Sequence, residues 1–457
     1  MASGEGLIVV GLRNQGNICY FNSILQALAS CNLVLGSLQR IQSVISDGGI
    51  DSKTQICQGL LDIIKYLQPH SKDISRRSYS AQTLLRTLRT KLGNQHVLPL
   101  GEEHDAAEGL ELLLQALSSE LSAEFHAHAK FPLAIKASLQ ALLNSDYNYS
   151  PCSNSQPDAL LAGWKSIRLP VEGLMATRMQ CVKCRHHFDT QFTQFTTLSM
   201  PLPTTSASKG GTAVAATGNL LGIAHVPSGC SLIPCFDGLF GYELVSGVHC
   251  PGCSIRASLK QVAKNLPVDK SKPFPPLKSP SPSLLRAGKN NNTNKNQATV
   301  APLDKLQNSV DERRPLPSQS SVEALFKAEG IPYLEQTQTH VTRQSVVVRW
   351  PSILVLQLRR SIWTPDGRLV KVVGHVKFPL ALRLEAKDDQ KVSYHLKAVV
   401  LHSGLSAGTG HYTTFRKLQE VQSTSSKWVK VSDESVKPVD EAEVLAADAI
   451  LLLYEHT

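Results

Sequence analysis

The stretch "GLRNQGNICYFNSILQALASC", Gly11 to Cys31, sets one cysteine among glycines and asparagines at the mouth of an apolar helix pattern. A free thiol titrates near ~8.5 and is mostly protonated at neutral pH. A helix N-terminus beneath the sulfur and a nearby imidazolium both lower that value and make the thiol a nucleophile. Cys19 is placed for the first of these, with a helix expected from Tyr20. Gly11 and Gly16 would let the backbone turn tightly, so that amide N–H groups face an incoming carbonyl oxygen. Asn14 or Asn17 would add a side-chain donor and complete an oxyanion hole. Without a base elsewhere in the chain, a buried structural cysteine ahead of a core helix explains the same residues.

The base must be a histidine presented by a distant segment. His411 lies in "GTGHYTTFRK", where glycines precede an alternating strand and leave room for a substrate backbone. His402 in "LHSGLSAG" competes with it, whereas His375 and His395 read as ordinary strand positions. A third group usually orients the imidazole of such a pair. "KWVKVSDESV" offers Ser432 and Asp433. As neighbours in a strand they point to opposite faces, so only one can serve. Charge favours Asp433, because a carboxylate holds an imidazolium more strongly than a hydroxyl does.

Two C-x-x-C knuckles, Cys181–Cys184 and Cys250–Cys253, carry separate chemistry. Four thiolates in two pairs suit one tetrahedral, structural Zn²⁺ with no open position for catalysis. Their separation of about 65 residues predicts that they cap two arms of an extended β insertion. Cys31, Cys57, Cys152, Cys230 and Cys235 belong to no motif and read as structural. "EEHDAAEGLELLLQAL" places Asp105 three residues before Glu108, a capping-box-like helix start. The same acids at a cleft edge would hold a basic or extended peptide.

Helical spacing runs through residues 20–95 and again from Asp105, with Leu110, Leu113, Leu114, Leu117 and Leu121 on one stripe. From about residue 165 the texture becomes β-like, and the last third is plainly β: "SVVVRW", "ILVLQLRR", "HLKAVVLHSG", "GHYTTFRK", "KWVKVSD" and "AILLLYEH". Residues 267–320, rich in Pro, Ser, Asn and Lys, are expected to be disordered. The order is helical lobe, metal-bearing insertion, loop, β lobe. That is an α+β arrangement in which an N-terminal nucleophile meets a C-terminal base across a cleft.

The 457 residues carry a net charge of +10. Residues 269–314 hold nine Lys/Arg against four Asp/Glu, so half of that excess sits in one low-complexity stretch. This argues for a solvated linker over a nucleic-acid surface, since the knuckles lack neighbouring basic–aromatic interleaving. No run reaches the ~18 apolar residues of a membrane helix, and "GLIVVGL" lacks a signal peptide's basic start.

Together these pieces resemble the ubiquitin-specific protease family, papain-like cysteine deubiquitinases built as thumb, palm and fingers. "GLRNQGNICYFNSILQAL" looks like the family's Cys box, and "HSGLSAGTGHYTTFRK" with "KWVKVSDESV" like its His box. "HDAAEGLELL" matches the acidic helix start between them, and the knuckles match the zinc-bearing fingers. The resemblance implies one catalytic domain over residues 8–457: a helical thumb (8–165), zinc-bearing fingers and palm (166–266 and 335–350), a mostly disordered insertion (267–334) and a β palm (351–457). It implies Cys19 as nucleophile, His411 as base, Asn14 as oxyanion donor and Ser432 in the third position, where the family usually has Asp or Asn. Asp105 and Glu108 would touch the ubiquitin tail, Cys181, Cys184, Cys250 and Cys253 would bind one Zn²⁺, and no catalytic cofactor is needed. Ubiquitin and ubiquitinated proteins are the implied partners, with a catalytically inactive ubiquitin-binding scaffold as the alternative. A serine at the third position is characteristic of the mitochondrial outer-membrane branch. Members of that branch carry an N-terminal membrane helix, and this chain as written starts beyond one, so the expected form is either anchored there or soluble in the cytosol.

Overall fold

A computed structural model describes residues 9–47, 54–69, 79–93, 104–126, 169–204, 223–265, 319–328, 332–334, 338–363, 367, 369–385, 391–404, 410–418 and 428–457. The chain divides into two compact units, Met1–Met175 with Thr193–Leu239 and Val347–Thr457, and Ala176–Phe192 with Phe240–Val346.

The first unit opens with helices α1 (Cys19–Ala29), α2 (Asn32–Asp47), α3 (Gln55–Tyr66), α4 (Gln82–Leu92) and α5 (Ala106–His126). Apolar residues at helical spacing, such as Ile56, Leu60, Ile63 and Ile64 on α3, face a common core. Carboxylates close three of the helix starts, where N–H groups lack intrahelical acceptors. Glu120 accepts from the Cys57 N–H at 2.9 Å, Glu455 from the Leu33 N–H at 2.8 Å, and Asp105 from the Ala107 N–H at 2.7 Å. By contrast, α1 is buried along its whole length, polar residues included.

Against these helices lies a sheet whose strands, numbered in chain order, are β3 (Leu198–Met200), β7 (Ile353–Leu358), β10 (Ala381–Glu385), β11 (Lys391–Ser403), β12 (His411–Lys417), β13 (Trp428–Ser432), β14 (Ser435–Val439) and β15 (Ala449–His456). Its order is β14-β13-β12-β11-β15-β7-β3, with β10 also on β11. The central strands read as unbroken apolar runs because both faces are covered. Ile353, Val355, Leu451 and Leu453 enter the helical core, while Leu354, Leu356 and Leu452 on the other face are also buried. A small sheet of β4 (Ile223–His225), β9 (Leu369–Val373) and β8 (Ser361–Trp363), with helices of residues 232–240 and 441–445, completes this unit.

In the second unit, the sheet order is β2-β1-β6-β5, from β1 (Gly173–Cys181), β2 (Gln191–Phe195), β5 (Glu243–Val248) and β6 (Thr339–Arg349). Helices α7 (Pro251–Asn265) and α8 (Gln319–Ala328) pack through Ile255, Val322 and Phe326. With α6 (Leu232–Phe240) and α9 (Glu441–Leu445) in the first unit, the described helices number nine.

One expectation changes, and the insertion expected to be mostly disordered is described only toward its C-terminal end. The β-like texture from residue 165 conceals α6 and α7. The insertion at 267–334 contains α8, because Val322, Leu325 and Phe326 give a polar stretch an apolar stripe that α7 covers. Residues 266–318 of that insertion, residues 127–168 of the proposed thumb and Cys152 lie outside the described residues. Among the described residues, no single helix is long and apolar enough to cross a membrane.

Leu356 is fully buried in β7. Leu356→Ala should lower unfolding free energy by about 2–5 kcal/mol, read as a shift of the guanidinium midpoint.

Candidate active site

Cys19 is the first residue of α1 and is 4% exposed. The chain reaches it through Gly16 and Asn17, at φ 81° and 58°. Glycine adopts this left-handed region without cost, and asparagine is one of the few side chains that visit it. Asn14 closes the turn: its Oδ1 accepts the Ile18 N–H at 3.0 Å. Gly11 serves differently from expectation. Its φ is not left-handed, but a Cβ there would lie 2.2 Å from the Asp433 carbonyl oxygen and 2.4 Å from Glu434 Cα. The requirement is close approach, sealed by the Leu12 N–H donating to Asp433 O at 3.0 Å.

His411 begins β12, opposite Ser403 on β11. Its Nε2 lies 2.9 Å from Ser432 Oγ and 3.8 Å from Asp433 Oδ2. The competing His402 ring packs 4.6 Å from the Tyr412 ring. A Cβ on Gly410 would fall 2.4 Å from His402 Nε2, so this glycine makes room for a neighbouring ring.

Strict alternation of Ser432 and Asp433 does not hold. β13 ends at Ser432, which pairs with Ser435, and Asp433 turns with φ 49°. Leaving strand geometry at that residue brings both side chains toward His411. The hydroxyl makes the direct contact, while the carboxylate is held mainly by two amides. Asn14 Nδ2 donates to Asp433 Oδ2 at 3.1 Å, and Asn22 Nδ2 to Asp433 Oδ1 at 2.9 Å. Asn22 also donates to Arg13 O at 3.2 Å, which ties α1 to the segment before it. The sequence reading missed Asn22. Its signal was an amide three residues after the cysteine in a mainly apolar helix.

β12 is fixed on α1 by Thr414 Oγ1, which donates to Ser23 O at 2.8 Å. The strand that starts at His411 and the helix that starts at Cys19 therefore share one packed interface. First-turn N–H groups of α1 give this end a partial positive charge, suited to a thiolate or an oxyanion.

Asp105 caps α5, accepting from the Ala107 and Glu108 N–H groups at 2.7 and 3.2 Å, and Glu108 is exposed on the first turn. This is the capping reading of the motif. It leaves the Glu108 carboxylate facing solvent.

In the second unit, the ligand atoms of Cys181, Cys184, Cys250 and Cys253 all lie within 4.8 Å of one another, and all four residues are buried. Cys181 and Cys253 sulfurs are 3.7 Å apart, Cys184 and Cys250 sulfurs 3.4 Å. Tetrahedral zinc–thiolate bonds of ~2.3 Å require sulfur spacings of about 3.8 Å, so the donor set fits. The first knuckle turns through Arg185 at φ 62°. The second follows the end of β5 and opens helix α7, so the two knuckles sit at the ends of β1 and β5 as their spacing suggested. Gly252 permits the approach, since a Cβ there would stand 3.1 Å from Cys184 Sγ. Hydrogen bonding between Cys184 and Cys250 lowers the Cys184 thiol and raises that of Cys250.

The sequence matches the profile of the ubiquitin carboxyl-terminal hydrolases across residues 10–454. The chain belongs to this family. Ubiquitin carboxyl-terminal hydrolase 27 of Arabidopsis thaliana is 24% identical, over 99% of this chain and 86% of its own length. Ubiquitin carboxyl-terminal hydrolase 30 of Mus musculus is also 24% identical, over 98% and 84%. Among solved structures, the SAGA Ubp8/Sgf11/Sus1/Sgf73 deubiquitinating module bound to ubiquitin aldehyde aligns with TM-score 0.53 and 17% identity, covering 98% of this chain and 70% of that one. That likeness shows the fold: α+β, papain-like, with the thumb–palm–fingers architecture of these enzymes. The protein is a cysteine deubiquitinase that hydrolyses bonds at the ubiquitin C-terminal glycine.

Because Gly11 admits the 433–434 turn, Gly11→Ala should displace Ser432 and Asp433. Release of a fluorophore from the ubiquitin C-terminus should slow by about 10-fold or more, as expected for an ångström-scale misplacement.

Proposed function

We propose that Cys19 is the nucleophile, His411 its base, Ser432 the group that orients the imidazole, and Asn14 the side-chain donor to the oxyanion. The contact of His411 Nε2 with Ser432 Oγ at 2.9 Å carries this reading. It occupies one ring nitrogen and leaves Nδ1 to take the proton from the Cys19 thiol. The thiolate then attacks the carbonyl carbon of the ubiquitin C-terminal glycine. Asn14 and backbone N–H groups at the start of α1 steady the oxyanion. His411 protonates the leaving lysine amine, whose departure leaves a thioester on Cys19. The same imidazole next activates water, which releases free ubiquitin and the thiol. Asp433, held by Asn14 and Asn22, positions the donor amide and adds negative charge near the imidazolium. An inactive scaffold has less support, since nucleophile, base and donor are all present.

In the proposed division, the helical part is the thumb, the large sheet the palm, and the four-cysteine unit the fingers. Cys181, Cys184, Cys250 and Cys253 would hold one structural Zn²⁺, which supplies cross-linking and no step of the reaction. Glu108 and Asp105, at the start of α5, would meet the extended ubiquitin tail. Ubiquitin conjugates are the substrates. Ser432 supports membership of the mitochondrial outer-membrane branch.

A ubiquitin bearing a C-terminal thiol-reactive warhead tests the assignment by intact mass. Wild type should gain one ubiquitin, and Cys19→Ala none. Ser432→Ala should react more slowly. Full activity in Ser432→Ala, with loss in Asp433→Ala, would give the third position to Asp433 instead. For the metal, purified protein should carry one zinc per chain by elemental analysis. Cys184→Ser should lose the zinc and the fold of residues around it, seen as protease sensitivity.

A further inference from the structure

We infer that Arg416 is a positioning residue: through Gln26 and the carbonyl ends of α1 and α3, its guanidinium registers the strand bearing His411 on the helix bearing Cys19. The inference rests on the roles proposed above for those two residues. Arg416 lies on β12, five positions after His411, and is 1% exposed. Its Nη1 donates to Gln26 Oε1 at 2.6 Å and to Leu67 O at 3.1 Å, and its Nη2 to Ala29 O at 3.2 Å. Ala29 ends α1 and Leu67 follows α3, so the cation meets the negative ends of two helices. Gln26 passes the constraint on, because its Nε2 donates to Val10 O at 3.0 Å, four residues before Asn14. One buried pair thus fixes β12, α1 and the segment leading to the oxyanion donor.

Holding a cation here is costly. Burial lowers the Arg416 pKa to about 10, so the group stays charged at neutral pH, and its Nε has no partner among the described residues. Among the described residues, no carboxylate bonds to it. An apolar side chain of similar volume would fill the space with a smaller desolvation penalty. It could not bind three oxygens, two on α1 and one just after α3, in one planar fork. The gain from arginine is therefore geometric.

The test uses the full chain and the ubiquitin warhead, separating the rate at saturation from the half-saturating concentration. Arg416→Met should cut the saturating rate by about 10- to 100-fold with the half-saturating concentration little changed. Arg416→Lys, which keeps the charge but not the fork, should recover part of the rate. Leu88→Ala, a core truncation in α4, serves as a control for lost stability, compared at a temperature where all variants are folded. Should Arg416→Met fail to fold, Gln26→Met carries the test with the same expectation. Equal saturating rates in wild type and these variants, or an equal loss in Leu88→Ala, would overturn the clasp alone. Wild-type labelling at a residue other than Cys19 would overturn the reading beneath it.

Discussion

The arrangement depends on a helix buried along its whole length that nevertheless carries polar side chains. All eleven residues of α1 are buried, among them Asn22, Ser23 and Gln26. A buried donor or acceptor left without a partner costs about 1–3 kcal/mol, so these groups need partners, and among the described residues all but Asn22 Oδ1 have one. Ser23 Oγ is met inside the helix, by Tyr20 O at 2.7 Å, and the other partners come from segments remote in sequence. Arg13 O and Asp433 meet Asn22, Thr414 meets the Ser23 carbonyl, and Val10 O and Arg416 meet Gln26. Satisfying one helix thereby brings the N-terminal segment, β12 and the 433–434 turn to a common place. The site is the consequence of that accounting.

Charge follows the same axis. Asp433 stands near the start of α1 and Arg416 at its end, each complementing the helix dipole. Asp433 is partly buried and receives two amide hydrogen bonds, so its carboxylate is preorganised before any substrate arrives. At 3.8 Å from His411 Nε2 it acts on the ring chiefly through its field, while the 2.9 Å Ser432 contact sets the ring's direction. In the proposed reading, orientation and charge, which a single aspartate would combine, fall to two adjacent residues. That division is possible only because Asp433 leaves the strand with φ 49°.

Residue type and spacing made much of this legible. A cysteine ringed by Gly and Asn, a histidine after glycines and two C-x-x-C knuckles each name a chemistry. The helical stripes and apolar runs reappear as α1 to α5 and as the central strands. What stayed hidden depends on tertiary context or on turns. Gln26 and Arg416 look solvent-facing by type, and only the packing of β12 on α1 makes them interior. Strand alternation failed at Ser432 and Asp433 because a two-residue turn there joins β13 to β14, a signal present in the alternating runs flanking Asp433 and Glu434. Helix α8 was masked by polar neighbours, and its three apolar positions gain meaning only from α7.

The two units hold themselves together by different means. In the first, five helices close over a sheet and bury a broad apolar core. In the second, the described apolar clusters are small: one is the four cysteines with Val341, the other Ile255, Val322 and Phe326. Apolar clusters of this size provide limited hydrophobic stabilisation, which a cross-link would supplement. The four sulfurs supply it, since they join the turn after β1 to the start of α7 across about 65 residues of chain. A metal ion there would contribute folding energy directly, because the unfolded chain has no preformed site for it. Thiol chemistry thus has two uses in this chain. One sulfur lies at a helix start, where the proposed attack on a carbonyl would be favoured, and four lie within 4.8 Å of one another, where they could hold a metal ion.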